Sequence, residues 1–220
     1  MIKNIISAVL ALCALGCTAQ EPLKYTPYYH QRASLFDILP IEKTDIVFLG
    51  NSLTDGAEWN EIFGLANIKN RGISGDIIGG YADRIDPILK GKPKKLFILG
   101  GVNDVSHDLT ADSIAQGMEQ LLTRIQRECP DTRIYLQSLL PINNSFKRYK
   151  AIFGKEQTVR DCNTLFEKLA SRLGITYIDL YPLFADEDGN LDTRYTNDGL
   201  HLLGPAYLIW ADKIRPYVME

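Results

Sequence analysis

From residue 45 onward, short runs rich in Ile, Leu, Val or Phe alternate with longer stretches in which apolar side chains recur at every third or fourth position. The runs at 45–49, 68–71, 96–99, 133–137 and 175–178 have the length and composition of strands covered on both faces. Between the third and fourth, Ile114, Met118, Leu121, Leu122 and Ile125 form one helical stripe, with Thr110 or Asp112 available near its start and Pro130 just beyond its end. Val159, Cys162, Leu165, Phe166, Leu169 and Leu173 form a second stripe, closed by Gly174, a residue suited to a left-handed cap. A last helix opens at Pro205, where a missing N–H does no harm, and carries Tyr207, Leu208, Trp210 and Ile214. This alternation predicts an α/β fold, a three-layer α/β/α sandwich whose parallel, doubly wound sheet has about five strands in flavodoxin-like order. Such sheets bind ligands beyond the carboxyl ends of their strands, so a reactive set is expected immediately after the predicted strands.

The amino terminus departs from the alternation. Lys3 is followed by an almost wholly apolar run over 5–15 and then by Gly16-Cys17-Thr18-Ala19. That is the pattern of a secretory signal peptide, and its apolar run is well short of the roughly 20 residues a membrane-spanning helix needs. The expected organisation is a signal peptide over 1–19 and one domain over 20–220, exported to the periplasm or medium with no integral span after cleavage. Ala14-Leu15-Gly16-Cys17 resembles a lipoprotein box with its leucine one place out of position, so a lipid anchor at Cys17 is the alternative.

The 220 residues carry a net charge of -3, which supplies no basic field for a phosphate backbone, and nucleic acid is not an expected partner. Of four cysteines, Cys13 and Cys17 lie in the signal segment, leaving Cys129 and Cys162 either as a bridge or as two buried thiols. Three histidines without clustered partners point away from a metal, and no cofactor is expected.

The chemistry is concentrated where the fold rule places it. The first predicted strand is followed by Gly50-Asn51-Ser52-Leu53-Thr54, the second by Gly72-Ile73-Ser74-Gly75-Asp76 and the third by Gly100-Gly101-Val102-Asn103-Asp104, while Asp198-Gly199-Leu200-His201 lies near the carboxyl terminus. A serine hydroxyl is a poor nucleophile until a base takes its proton, so Ser52 requires a histidine. His201 is the candidate, because Asp198, three residues earlier on a glycine-containing turn, can hold its tautomer and stabilise the imidazolium. Acyl transfer also needs donors aimed at the developing oxyanion; the candidates are the backbone N–H groups of Ser52 and Gly75 and the side-chain amide of Asn103.

These four blocks, in order over roughly 45–215, resemble the signature blocks of the SGNH/GDSL hydrolases, the GDSL-like lipase/acylhydrolase family. Asn51 stands where the older motif name has aspartate, and Gln137-Ser138-Leu139-Leu140-Pro141 is similar to the acetylhydrolase-like bacterial branch. The resemblance implies a serine esterase with Ser52, Asp198 and His201 as its triad and Gly75 and Asn103 in its oxyanion hole. It also implies a small-molecule or glycan ester as substrate, with deacetylation of carbohydrate or sialic acid foremost and lysophospholipase or thioesterase activity as the alternative. From another class, a non-catalytic glycan-binding module would keep the fold, but binding alone needs no base aligned with a nucleophile.

Several neighbours have structural readings beside the functional ones. Ser74 is a rival nucleophile or a shaper of the glycine turn, and Asp55, Asp76 and Asp104 read as turn or helix-start carboxylates. His107 reads as a surface-loop residue or a substrate contact, and His30 as structural or exposed. Trp59, Tyr81 and Tyr195 are candidates for pocket lining and for core packing alike. The segment 143–157, with Lys147, Arg148, Tyr149 and Lys150, follows the fourth strand at the site's edge and reads either as a solvated loop or as a determinant of specificity. Thr54 stands where a Gly-x-Ser-x-Gly elbow has its second glycine, and no Gly-x-Gly-x-x-Gly follows the first strand to cradle a dinucleotide.

Overall fold

Side chains along a strand alternate between faces, and here both faces are apolar because both are covered. In the computed structural model, which describes residues 24–220, the strands are β1 (Ile46–Gly50), β2 (Ile68–Gly72), β3 (Lys95–Leu99), β4 (Arg133–Gln137) and β5 (Thr176–Ile178). They form one parallel sheet in the order β2-β1-β3-β4-β5, the flavodoxin-like arrangement. The helices, in chain order, are α1 (Pro27–Ile38), α2 (Ser52–Asp55), α3 (Trp59–Phe63), α4 (Ile78–Asp83), α5 (Asp86–Gly91), α6 (Val102–Ser106), α7 (Ala111–Glu128), α8 (Glu156–Leu173), α9 (Tyr181–Phe184) and α10 (Gly204–Met219). The predicted signal segment 1–19, with Cys17, lies outside the described residues.

Val47, Leu49, Leu96, Ile98, Ile134 and Leu136 point to one face, where they meet α4, α5, α7 and α8. Ile46, Phe48, Phe97, Leu99 and Tyr135 point to the other, against α3, α9 and α10. On that second face Phe48, Phe97 and Tyr135 stack across three neighbouring strands with centroids 4.9 and 4.4 Å apart, and Trp59 lies on Phe48 at 4.6 Å. Each fully buried side chain of this size contributes roughly 1.5–3 kcal/mol. Trp210 is also fully buried, and its Nε1 donates to Gln137 Oε1 at 2.7 Å, tying α10 to β4. At the other end of α10, Lys95 Nζ donates to the carbonyls of Tyr217, Val218 and Glu220 at 2.7–2.9 Å, a cation at the negative end of a helix.

The predicted stripes face the core with adjustments. All five apolar positions named for α7 are buried, and Thr110 is its cap, accepting from Ser113 N–H at 3.2 Å. In α8, Leu165 and Leu173 are only half-buried, and Ala170 is buried in addition to the other predicted positions. Leu208 of α10 is 56% exposed, because only the face carrying Ala206, Tyr207, Trp210, Ala211 and Ile214 meets the sheet. Cys129 and Cys162 are buried free thiols. Among the described residues, no helix is long and apolar enough to cross a membrane.

Register positions the site. Gly50 pairs with Gly72 on one side and Leu99 on the other, so β1, β2 and β3 end level with one another. The turns that follow these strands therefore open along one edge.

Candidate active site

Asn51 follows β1 and caps α2, its side-chain oxygen accepting from Leu53 N–H at 3.0 Å. Ser52 is thereby the first residue of a helix, half-buried, with its hydroxyl at the sheet edge. His201 approaches from a segment 149 residues away in sequence, and its Nε2 lies 2.9 Å from Ser52 Oγ. On the far side of the ring, Nδ1 lies 2.8 Å from Asp198 Oδ2. With a proton on Nδ1 donated to the carboxylate, Nε2 is the acceptor facing the serine hydroxyl.

The loop under His201 contains no strand and is held by local polar contacts. Asp198 Oδ1 accepts from the backbone N–H groups of Leu200 and His201 at 2.9 and 2.8 Å, and Thr196 Oγ1 accepts from Gly199 N–H at 2.9 Å. Burial alone would raise the Asp198 carboxyl, but donation from the His201 backbone, the imidazole and Leu200 outweighs it and holds the group at about 2. Gly199 sits at φ 86, and a Cβ there would lie 2.2 Å from Asn143 O. Asn143 N–H in turn donates to Gly199 O at 2.8 Å, so the segment after β4 and the histidine loop are latched together.

That latch brings in Tyr149, a residue whose contacts sequence reasoning missed. Its hydroxyl donates to Asp198 Oδ2 at 3.0 Å and lies 3.2 Å from His201 Nδ1, with its ring edge-on to the imidazole at 5.4 Å. Burial, then the bond to Asp198, push the Tyr149 phenol up, so it stays protonated and remains a donor. The only signal in the sequence was an aromatic residue between two cations after the fourth strand. Residues 148–152 of the segment therefore wall the cavity, while Lys147, Arg148 and Lys150 stay exposed to solvent.

The candidate oxyanion donors come from the turns after β2 and β3. Gly75 takes φ 80, and a Cβ there would meet nothing within 4 Å, so the backbone conformation rather than crowding favours glycine. Asn103 Nδ2 donates to Asp76 O at 2.8 Å, which fixes the amide against the Gly75 turn. Beneath these turns Asp76 and Arg84 form a buried ion pair at 2.7 Å, and Arg84 Nη2 also donates to Gly50 O at 3.2 Å. Both oxygens of Asp104 lie 3.3 Å from Ile78 N, tying the β3 turn to α4. Burial pushes Asp76 up to about 6 against the pull of Arg84, and burial likewise pushes Asp104 to about 6 against its backbone hydrogen bonds. Reading Asp76 as a turn carboxylate thus missed Arg84, whose distance in sequence gave no sign of the pairing.

The remaining candidates separate cleanly. Asp55 accepts from Ser74 N–H at 3.3 Å and Tyr28 O–H at 3.0 Å, and Ser74 faces the cavity without a histidine partner. Trp59 and Tyr81 are fully buried, and Tyr195 packs edge-on against Phe184 at 5.6 Å, so all three belong to the packing. His30 is exposed on α1. His107 is exposed at the end of α6, its Nδ1 2.8 Å from Asn103 O.

Ser52, Gly75, Asn103, Tyr149, Ile152 and His201 line a cavity of about 440 Å³. A second cavity of about 370 Å³, walled by Tyr25, Tyr29, Asp76 and His107, shares Gly75 with it. Both sizes suit small-molecule ligands. A cavity of about 600 Å³ between the end of α1 and α5 contains none of the candidate residues.

A serine, an imidazole and a carboxylate in sequence along the open edge of a doubly wound sheet define a serine hydrolase arrangement. The sequence model of the GDSL-like Lipase/Acylhydrolase family matches residues 48–207, and the chain belongs to that family; it is a carboxylic ester hydrolase. The chain is 24% identical over 185 residues to platelet-activating factor acetylhydrolase IB subunit alpha2 of Rattus norvegicus, covering 81% of this chain and 78% of that one. The structure of a GDSL-like lipase from Bacteroides thetaiotaomicron superposes with a TM-score of 0.75 at 23% identity, over 86% of this chain and 96% of that one. An acetyl xylan esterase superposes with a TM-score of 0.65 at 20% identity, over 80% and 100% of the two chains.

Proposed function

We propose that the protein removes small acyl groups, acetyl foremost, from the hydroxyls of carbohydrates through an acyl-enzyme intermediate. The observation that carries this reading is the chain of contacts from Ser52 Oγ to His201 Nε2 at 2.9 Å and from His201 Nδ1 to Asp198 Oδ2 at 2.8 Å. In the proposed cycle Ser52 Oγ attacks the ester carbonyl carbon as its proton passes to His201 Nε2, and the carbonyl oxygen takes the negative charge. The N–H groups of Ser52 and Gly75 and the amide of Asn103 receive that oxygen. As the tetrahedral species collapses, the bond to the alcohol oxygen breaks and His201 gives that oxygen its proton. Water then attacks the acyl-serine with His201 again as base, releasing the acid and restoring Ser52. Asp198 stays ionised throughout, which its hydrogen bonds favour.

The substrate reading rests on three supports. A carbonyl at Gly75 would have a cavity on either side, one for each half of an ester. The walls of the second cavity, Tyr25, Tyr29 and His107, offer the aromatic faces and polar edges that suit a sugar ring. Finally, relatives named for acetyl hydrolysis and for acetyl xylan share the family or the fold. Export through the segment 1–19 belongs to the same proposal, and the amino-terminal sequence of the protein recovered outside the cytoplasm would test it.

The test is turnover of a chain-length series of p-nitrophenyl esters, beginning with the acetate, beside Ser52→Ala prepared in the same way. Activity that falls steeply beyond acetyl and is absent in the variant is the expected result. A rise toward long chains would replace the deacetylase reading with a lysophospholipase or thioesterase one, and an equally active Ser52→Ala would remove the nucleophile.

A further inference from the structure

We infer that Asp55 is a positioning residue for the candidate oxyanion site, fastening the Gly75 turn to the helix that begins at Ser52, and that α1 acts on the site through it. Asp55 ends α2, three residues after Ser52, in a helix whose start is fixed by the Asn51 cap. Its Oδ2 accepts from Ser74 N–H at 3.3 Å, across 19 positions of sequence. One carboxylate thereby joins the two segments that carry the candidate backbone donors, Ser52 N–H and Gly75 N–H.

The turn needs such a hold. Asp76 N–H donates to Ile73 O at 3.1 Å, and of the two central residues Gly75 alone has a positive φ, which makes 73–76 a type II turn. That conformation sets the direction of Gly75 N–H within the turn, but its spacing from Ser52 N–H depends on how turn and helix are tied. Beyond the last ladder bond, Ile73 N–H to Gly50 O at 3.0 Å, side chains take over: Asp55 grips Ser74 N–H, and Asn103 grips Asp76 O. An oxyanion shared by donors from separate segments is stabilised only while those donors keep their spacing.

Asp55 is itself held from α1. Tyr28 O–H donates to the same Oδ2 at 3.0 Å, and Arg32 Nη2 stands 3.9 Å from Oδ1. Burial, then this bond, push the Tyr28 phenol up, so it remains a donor. Farther along the helix, Phe36 and Tyr29 form one buried cluster with Ile73, the first residue of the turn, and the Arg32 guanidinium lies 4.6 Å from the Phe36 ring. α1 therefore touches the turn twice, directly at Ile73 and through Asp55 at Ser74. The helix precedes residues 48–207, so this brace comes from outside the part of the chain that matches the family.

This inference rests on the reading of the Ser52 cavity as the ester site, and the experiment separates the two: p-nitrophenyl acetate turnover that Ser52→Ala abolishes reports on that reading by itself. Deleting an oxyanion donor costs about 10²–10³ in kcat, so loosening one should cost less. Asp55→Ala is expected to lower kcat roughly tenfold with KM within about twofold of the wild type, since the charge on the oxygen develops only beyond the ground state. Asp55→Asn, which keeps an oxygen for Ser74 N–H, should recover most of that loss. Tyr28→Phe combined with Arg32→Gln should lower kcat roughly threefold in the wild-type background and no further in Asp55→Ala. In an enzyme whose turnover depends on Ser52, an unchanged kcat in Asp55→Ala, or a loss confined to KM, overturns the inference alone. So does an equal loss from the α1 pair with and without Asp55, which would remove the route through that carboxylate. Tyr28 is exposed and Arg32 half-buried, so the α1 pair decides the matter even where Asp55→Ala fails to fold: a folded pair variant with unchanged kcat overturns the inference.

Discussion

The half of the cleft that carries Ser52, Gly75 and Asn103 rises from three adjacent parallel strands, whereas the half that carries Asp198 and His201 has no strand beneath it. On the first side, position follows from sheet register, and buried carboxylates brace the turns: Asp76 against Arg84, Asp104 against Ile78 N–H. On the second, position follows from short polar contacts inside one loop and from the latch to the segment after β4. Charge differs in the same sense. Burial raises Asp76 and Asp104, while hydrogen bonds hold Asp198 low. The side with Ser52, Gly75 and Asn103 is thus braced by the core, and the side with Asp198 and His201 by its own hydrogen bonds. Small polar substitutions should disturb the latter side more readily.

The largest effect expected from either half is loss of the chemical step. Ser52→Ala and His201→Ala should each lower turnover by roughly 10⁶ if the two act as one unit, and combining them should add little. A double variant far below either single one would mean that they act separately. Next comes Asn103→Ala on the strand-built side, with a loss of about 10²–10³ in kcat and a small change in KM. A change confined to KM would assign Asn103 to ground-state binding.

Smaller again, on the loop-built side, Tyr149→Phe keeps the ring against His201 and deletes the donor to Asp198, and kcat should fall by roughly threefold to tenfold. If Tyr149→Ala is no worse than Tyr149→Phe, the ring contributes nothing. If Tyr149→Phe is silent while Tyr149→Ala is damaged, the contribution is packing alone.

The smallest effect is on stability and separates the halves by sign. Asp104 has a native value near 6 against an ordinary 3.8, so the folded state keeps a proton that the unfolded chain has released. Its contribution to stability therefore falls as pH rises through that window, and Asp104→Asn should gain on the wild type by up to ~3 kcal/mol between pH 4 and 7. Asp198, near 2 against 3.8, works the other way, stabilising above about pH 4 and losing that contribution as pH falls toward 2. Denaturation midpoints across pH for Asp104→Asn and Asp198→Asn would show opposite trends relative to wild type; parallel curves would mean that neither carboxyl is perturbed as described.

Much of this molecule was legible along the chain because its elements declare themselves locally. Short β-rich runs became the five strands within a residue or so, the α7 stripe buried all five of its predicted positions, and Gly174 closes α8 in the left-handed conformation. Ser52, Gly75 and Asn103 could be found because strand ends mark the open edge of such a sheet, and Asp198 and His201 because they share one short loop. Three-dimensional packing alone decided the rest. It brought His201 across 149 residues to 2.9 Å from Ser52, paired Asp76 with Arg84, sent Trp59 and Tyr81 to the core, and turned Tyr149 onto Asp198 while placing Arg148 and Lys150 along the cavity. Periodicity reports which side of an element is buried, since that depends on neighbours a few residues away. Which two side chains meet across the fold depends on how whole segments dock, and no local pattern carries that information.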